Sequence, residues 1–394
     1  EATDPDSSSA VNFELATGSL PAGLSLVNQS GDFCRIQGTA SAVSGNTTSN
    51  FTLRAFDTAS NANTRGFSIT INDFTMSSAR FDDGTSDYMH KVKASNDEIK
   101  TATFSAWVKR GALGGNQRIV SHMTNSFADY FYFRFNSNNT FEFAFKGSSN
   151  NIIWTTNRVF RDISAWYHIV ARVDTTNSTA GDRVRIYVNG VEETSFSSSS
   201  NPDLNETFSI GTTSDPIVVG GLYGSGYGIS SGSTSEHFDG YIASLVVTEG
   251  QSLAPTSFGE TDSNGVWIPK GVTSLTYGTN GFNLDFNDSS NLGNDANGGT
   301  DLTEVNLTSI DKVQDTPLNN FAVLNTQVGN EANLSATSDG NLNVLITSGG
   351  AIPATIGFDK GKWYWEVEID TQKDYTQLAG IISESHALSG NVGA

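Results

Sequence analysis

The sequence predicts an all-β fold of serial β-sandwiches, on three observations. Apolar and polar residues alternate with period two through most of the chain, as half-buried strands require. Turn formers interrupt these runs at short intervals: there are 39 Gly in 394 residues and many Asn, Ser and Thr, but only 8 Pro. No apolar pattern of helical period reaches the length of a helix, and no apolar run is long enough to span a bilayer. Apolar residues are a modest 37% of the chain, yet 24 Phe and 6 Trp supply bulky core material for each sandwich.

The first unit is expected over residues 1–74. Its elements are Leu20-Pro21-Ala22-Gly23-Leu24, then Ile36-Gln37-Gly38-Thr39, then Phe51-Thr52-Leu53-Arg54-Ala55-Phe56-Asp57, then Phe67 to Ile71. This succession resembles a bacterial Ig-like family. Members carry another strand or two before the position of Val11, and the Ser- and Asp-rich residues 1–10 are too polar to supply them. The unit is therefore expected to be incomplete, with an open sheet edge and a chain that begins partway through a domain. Cys34 is the single cysteine, so no intrachain disulfide can form, and its place between Phe33 and Arg35 reads as a small core residue of a strand.

The second unit is expected over residues 75–270. It opens with Ala79-Arg80-Phe81-Asp82-Asp83-Gly84 and continues to Phe104-Ser105-Ala106-Trp107-Val108. Phe131, Phe133 and Phe135 alternate with Tyr132 and Arg134, and Phe141, Phe143 and Phe145 alternate with Glu142 and Ala144, across Asn136-Ser137-Asn138-Asn139. This is a hairpin with an aromatic face, whose cross-strand pairs stabilise it by roughly 0.5–1.5 kcal/mol each beyond burial. Trp166-Tyr167-His168-Ile169-Val170 and Arg183 to Val188 follow, and Asn189-Gly190 supplies the pair of positive φ angles of a tight type I′ turn. The run Phe238-Asp239-Gly240-Tyr241-Ile242 begins a closing strand. The Trp166-to-Gly190 block resembles the laminin G-like, or concanavalin A-like lectin/glucanase, jelly rolls, which implies a two-sheet jelly roll serving adhesion and glycan recognition.

Residues 271–325 are expected as an irregular Gly- and Asn-rich linker, and 326–394 as a third, partial sandwich. The stretch from Gly250 through Asp315-Thr316-Pro317-Leu318-Asn319-Asn320-Phe321 resembles the linker in virion proteins of marine and other tailed bacteriophages. Gly361-Lys362-Trp363-Tyr364-Trp365-Glu366-Val367-Glu368-Ile369-Asp370 resembles the signature strand of SPRY-like domains, and the match stops about halfway through that family's length. The third core is thus expected to need partner strands from elsewhere.

The formal net charge is −20. A polyanion without a basic stripe does not bind nucleic acid, and no membrane insertion is expected. His90, His122, His168, His237 and His386 show no metal spacing, and His168 reads as structural. Asp82, Asp83 and Asp87 cluster in a turn; they are the candidate metal ligands, with Ca2+ the one cofactor their hard oxygens would suit, against an alternative of Asx-turn chemistry. Glu366, Glu368 and Asp370 share one face of a strand opposite Trp363, Trp365, Val367 and Ile369. That spacing departs from the acid pattern of the glucanases, so the chain is read as no enzyme. The candidate ligand-binding residues are Trp154, Tyr223 and Tyr227, aromatics in or near loops that could stack on sugars.

These resemblances imply a non-enzymatic structural component of a tailed phage virion, a tail fibre or other surface appendage that recognises host-surface glycan. The partners would be other virion proteins, further copies of the chain (a trimer favoured) and a host cell-surface glycan. The alternatives are a head-attached or baseplate structural protein without a ligand of its own, and a glycan hydrolase.

Overall fold

The computed structural model describes residues 11–28, 33–41, 43, 47–57, 61–71, 74–96, 98–124, 128–222, 236–272, 275–325, 334–338, 341–346, 352–358, 363–369 and 380. Among them, strands and short 3-10 turns form the regular structure and no α-helix occurs, which is the all-β chain that the alternation predicts. The chain divides into two compact units, Glu1–Thr75 and Met76–Ala394.

The first unit has a three-stranded antiparallel sheet in the order Asn12–Gly18, Thr47–Phe56, Ala62–Ile71, and a separate pair, Leu24–Asn28 with Cys34–Gly38. Val11, Phe13 and Phe51 are its buried apolar side chains among the described residues. Phe51 stacks on Phe67 at 5.8 Å, yet Phe67 remains 40% exposed. Cys34 is half-buried in its strand.

The second unit packs two sheets face to face. The front sheet runs in the order Phe196–Ser199, Asn151–Val159, Thr140–Lys146, Tyr130–Phe135, Gln117–Met123, Ile217–Val219, Tyr88–Lys91, Thr303–Val305. The back sheet runs Val191–Glu192, Val184–Val188, Tyr167–Asp174, Thr101–Arg110, Gly240–Glu249, Ser78–Phe81, Lys312–Val313, and Phe282–Leu284 also pairs with Gly240–Glu249. Between them lies the core. The six phenylalanines of the hairpin are fully buried, and Phe104 of the back sheet meets Phe131 at 5.1 Å and Phe143 at 5.3 Å. Their register is direct: Phe131, Phe133 and Phe135 stand opposite Phe145, Phe143 and Phe141. At the turn of the next hairpin, Asn189 has φ 49° and Gly190 φ 78°, the conformation the dipeptide favours.

Residues 271–325 are not a linker but part of this unit. Phe282, Leu284, Phe286, Leu292, Leu302 and Leu307 enter the main core, and three short strands from this stretch extend the two sheets. Each strand is only two or three residues long, too short for alternation to be read from sequence.

The outer face of the back sheet is covered as well. Trp107, Trp166, Tyr241, Ala243 and Val323 form one apolar cluster there, and Val170, Val246, Phe258 and Tyr277 another. A buried polar knot fastens the first. Lys109 Nζ donates to Asp315 Oδ2 at 2.8 Å, Asn320 Oδ1 at 2.8 Å and the Phe321 carbonyl at 2.7 Å, while Trp166 Nε1 donates to Asp315 Oδ1 at 3.0 Å. All three ammonium protons are used, as a buried charge requires.

Beyond residue 325, Leu334–Ser338 pairs with Asn343–Ile346, and Leu324 bridges to Ala354. Residues 363–369, expected as a strand, do not lie in a strand of the described structure, and Trp363, Tyr364, Trp365, Val367 and Ile369 are exposed. Tyr364 donates its hydroxyl proton to Glu366, Glu368 is exposed on the same run, and Asp370 lies outside the described residues.

Candidate functional site

The outer face of the front sheet carries a cluster of aromatic and charged side chains. Strict alternation builds it: Tyr130–Phe135 sends three phenylalanines inward, so Tyr130, Tyr132 and Arg134 must point out. The rings of Tyr130 and Tyr132 stack at 5.7 Å and 16°. The Arg134 guanidinium lies 4.3 Å from the centre of the Tyr132 ring, and that of Arg118, on the neighbouring strand, lies 4.8 Å from it. The result is a ladder of two phenols and a guanidinium along one strand, flanked by a second guanidinium.

Two carboxylates balance the two guanidinium groups. Glu142 stands directly opposite Arg134, and Arg134 Nη2 donates to Glu142 Oε1 at 2.9 Å. Thr155 Oγ1 donates to Glu142 Oε2 at 2.7 Å and Asn136 Nδ2 to the same oxygen at 3.3 Å. Glu236 accepts from Arg118 Nε, lies 3.7 Å from Arg134 Nη1, and accepts from Asn116 Nδ2 at 3.4 Å. Arg118 is almost wholly enclosed, whereas the side chains of Arg134, Glu142 and Glu236 keep 17%, 12% and 24% of their surface.

Burial pushes the Glu142 carboxyl up, but the Thr155 hydroxyl, the Arg134 charge and the Asn136 amide outweigh it and hold the group below its ordinary value. Burial, reinforced by the Glu142 charge, pushes the Tyr132 phenol up to about 12. At neutral pH the face therefore presents an ionised Glu142 and intact phenol O–H donors. A carboxylate held ionised is a poor proton donor, which disfavours acid catalysis at Glu142.

Of the residues singled out by sequence, Trp154, Asp82, Asp83 and Asp87 lie elsewhere. Trp154 is a core side chain: it is 8% exposed, packs edge-on against Phe196 at 4.7 Å and donates its indole N–H to the Ser200 carbonyl at 2.7 Å. It stands in the strand Asn151–Val159 on the same inward face as Phe143, its register partner, so it has no ring face for a ligand. Tyr223 and Tyr227 lie outside the described residues. Asp82 Oδ1 accepts from the Gly84 N–H at 2.8 Å, and Asp87 accepts from Thr85 Oγ1 at 2.7 Å and the Asp82 N–H at 3.0 Å. These are turn hydrogen bonds. Burial, with the Asp82 charge next, raises the Asp83 carboxyl, and burial raises that of Asp87. Among the described residues, no group of three or more His, Cys, Asp or Glu side chains is arranged to hold a metal ion.

The signal for the ladder was present in Tyr132, Arg134 and Glu142, which the alternation turns outward. Large aromatics and opposite charges on adjoining core strands are unusual for a plain solvated face. Glu236 carried no such signal, because it reaches Arg118 across 118 positions of sequence.

Residues 82–251 match the family model of the concanavalin A-like lectin/glucanases superfamily, and residues 1–72 match the "Putative Ig domain" model. No curated protein matches the chain significantly. Among solved structures, the chain is similar to a "putative carbohydrate binding protein" from Bacteroides ovatus, with 15% identity, TM-score 0.43, and coverage of 77% of this chain and 88% of that one. It is also similar to domains LG4-5 of the mouse laminin alpha1 chain, with 14% identity, TM-score 0.33, and coverage of 47% of each chain. A heptameric SAP-like pentraxin from Limulus polyphemus gives 14% identity, TM-score 0.34, and coverage of 53% of this chain and 92% of that one. The matched family models identify an Ig-like domain followed by a laminin G-like domain of the concanavalin A-like lectin/glucanase superfamily.

Proposed function

We propose that the chain binds carbohydrate without cleaving it, through the outer face of the front sheet, as a component of a tailed phage virion. The observation that carries the binding reading is the Tyr130–Tyr132–Arg134 ladder paired with Glu142 and Glu236. It combines phenol donors, guanidinium donors and carboxylate acceptors on one rigid strand framework. The lectin/glucanase family match over the same residues supports it. The virion reading rests on the resemblance of residues 250–325 to phage linkers. In that setting the chain would act as a tail fibre or surface appendage, as a homotrimer whose repeated weak sites bind a host surface by avidity.

The test is a glycan array probed with the purified chain and with Tyr130→Ala and Arg134→Gln variants, whose thermal unfolding is checked in parallel. Binding by the parent chain that is lost in folded variants is the expected result. An array with no retained glycan would favour a structural protein without a ligand of its own. Light scattering of the purified chain reports the oligomer.

A further inference from the structure

Resting on that carbohydrate-binding reading, we infer that the face selects neutral, hydroxyl-rich sugars over acidic ones. Its charges cancel: two guanidinium groups, Arg118 and Arg134, face two carboxylates, Glu142 and Glu236. Each guanidinium already has a carboxylate partner inside the protein. Arg134 lies between both, at 2.9 Å from Glu142 and 3.7 Å from Glu236. A uronate or sulfate arriving at Arg134 would therefore meet two fixed negative charges within a few ångströms, in a setting where screening by water is reduced. The hydrogen bonds from Thr155 and Asn136 hold Glu142 in place and ionised, so the cluster cannot relieve that repulsion by protonating it near neutrality.

A neutral sugar hydroxyl meets no such penalty. It accepts from a guanidinium or phenol and donates to a carboxylate, using both halves of each ion pair, whereas an anionic group can only accept. The chain's net charge of −20 adds long-range repulsion toward acidic polysaccharides at low salt.

The experiment is affinity electrophoresis of the full chain in gels containing neutral polysaccharides (a β-glucan, a galactomannan) or acidic ones (alginate, a sulfated galactan), at low and high salt, beside a glycan array holding both classes. Retention by neutral glycans alone, weakened about tenfold or more in Tyr130→Ala, is the expected result. The variant Glu142→Gln/Glu236→Gln leaves both guanidinium groups uncompensated and is expected to gain salt-sensitive retention by the acidic gels. If it misfolds, Glu236→Gln alone, on the more exposed carboxylate, gives the same readout. Acidic glycans retained by the parent chain and lost in Arg134→Gln would overturn the selectivity while leaving the carbohydrate-binding reading in place. Retention by neither class on gels and array would remove both.

Discussion

The indole N–H of Trp267 donates to His168 Nδ1 at 2.9 Å, and this one bond fixes the state of a histidine in the centre of the back sheet. An indole only donates, so Nδ1 must accept, and the ring proton sits on Nε2, which lies 2.9 Å from Ser105 Oγ and donates to it. Trp107 stacks on the same ring at 4.6 Å. The imidazole is thus a neutral tie between two strands and the Gly259–Thr261/Trp267–Pro269 hairpin.

That tie predicts an acid-labile fold. Burial pulls the His168 pKa from its ordinary 6.5 to about 3. The unfolded chain takes up this proton first, so the stabilisation is complete above about pH 6.5 and is lost progressively as the pH falls toward 3. The loss attributable to His168 is expected to reach about 5 kcal/mol. Denaturant unfolding measured across this range should show a steeper slope for the parent chain than for His168→Gln. Equal slopes would rule the tie out as the cause.

Asp239 predicts the opposite dependence at higher pH. Burial, with the charges of Asp83 and Asp82, raises its carboxyl from 3.8 to about 7. The folded state holds the proton more tightly, so this group's contribution is complete below about pH 4 and is lost as the pH rises through 7. Asp239→Asn, which cannot ionise, is expected to be more stable than the parent at pH 8 by about 2–4 kcal/mol and nearly equal near pH 4. Thermal melts at the two pH values check this.

The Lys109–Asp315 pair anchors residues 315–321 on the back sheet. Lys109→Met leaves the Asp315 carboxylate buried without its cation, and the expected destabilisation is about 3–5 kcal/mol. The double variant Lys109→Met/Asp315→Leu removes both charges and should recover a substantial part of that loss. Chemical denaturation of the three proteins measures the coupling, and additive effects would show that the two side chains act independently.

Residues 271–325 are expected to be indispensable to the jelly roll. A fragment ending at residue 270 loses Phe282, Leu284, Phe286, Leu292 and Leu302 from the core, on the order of 10 kcal/mol of apolar burial. That is as large as the whole stability of a typical domain. Residues 76–270 should therefore show no cooperative unfolding, while 76–325 should. A cooperative melt of the shorter fragment would return this stretch to the status of a linker.

The sequence by itself determined the strands of the jelly roll and which of their side chains face the core. A strand has period two whatever it packs against, so Phe131, Phe133 and Phe135 alternating with Tyr132 and Arg134 left one orientation that buries the aromatics. The Asn189-Gly190 turn was legible for a similar reason: its conformation is set by two adjacent residues. Tertiary structure alone decided what joins those strands. Phe282–Leu284 and Thr303–Val305 are strands because Gly240–Glu249 and Tyr88–Lys91 offer them free edges, and three residues carry no period of their own. Trp363 to Ile369 shows the converse: a clear alternation that does not lie in a strand among the described residues. The candidate site divides along the same line. The outward turn of Tyr132, Arg134 and Glu142 is local, whereas their meeting with Arg118 and Glu236 depends on chain segments brought together only by the closed pair of sheets.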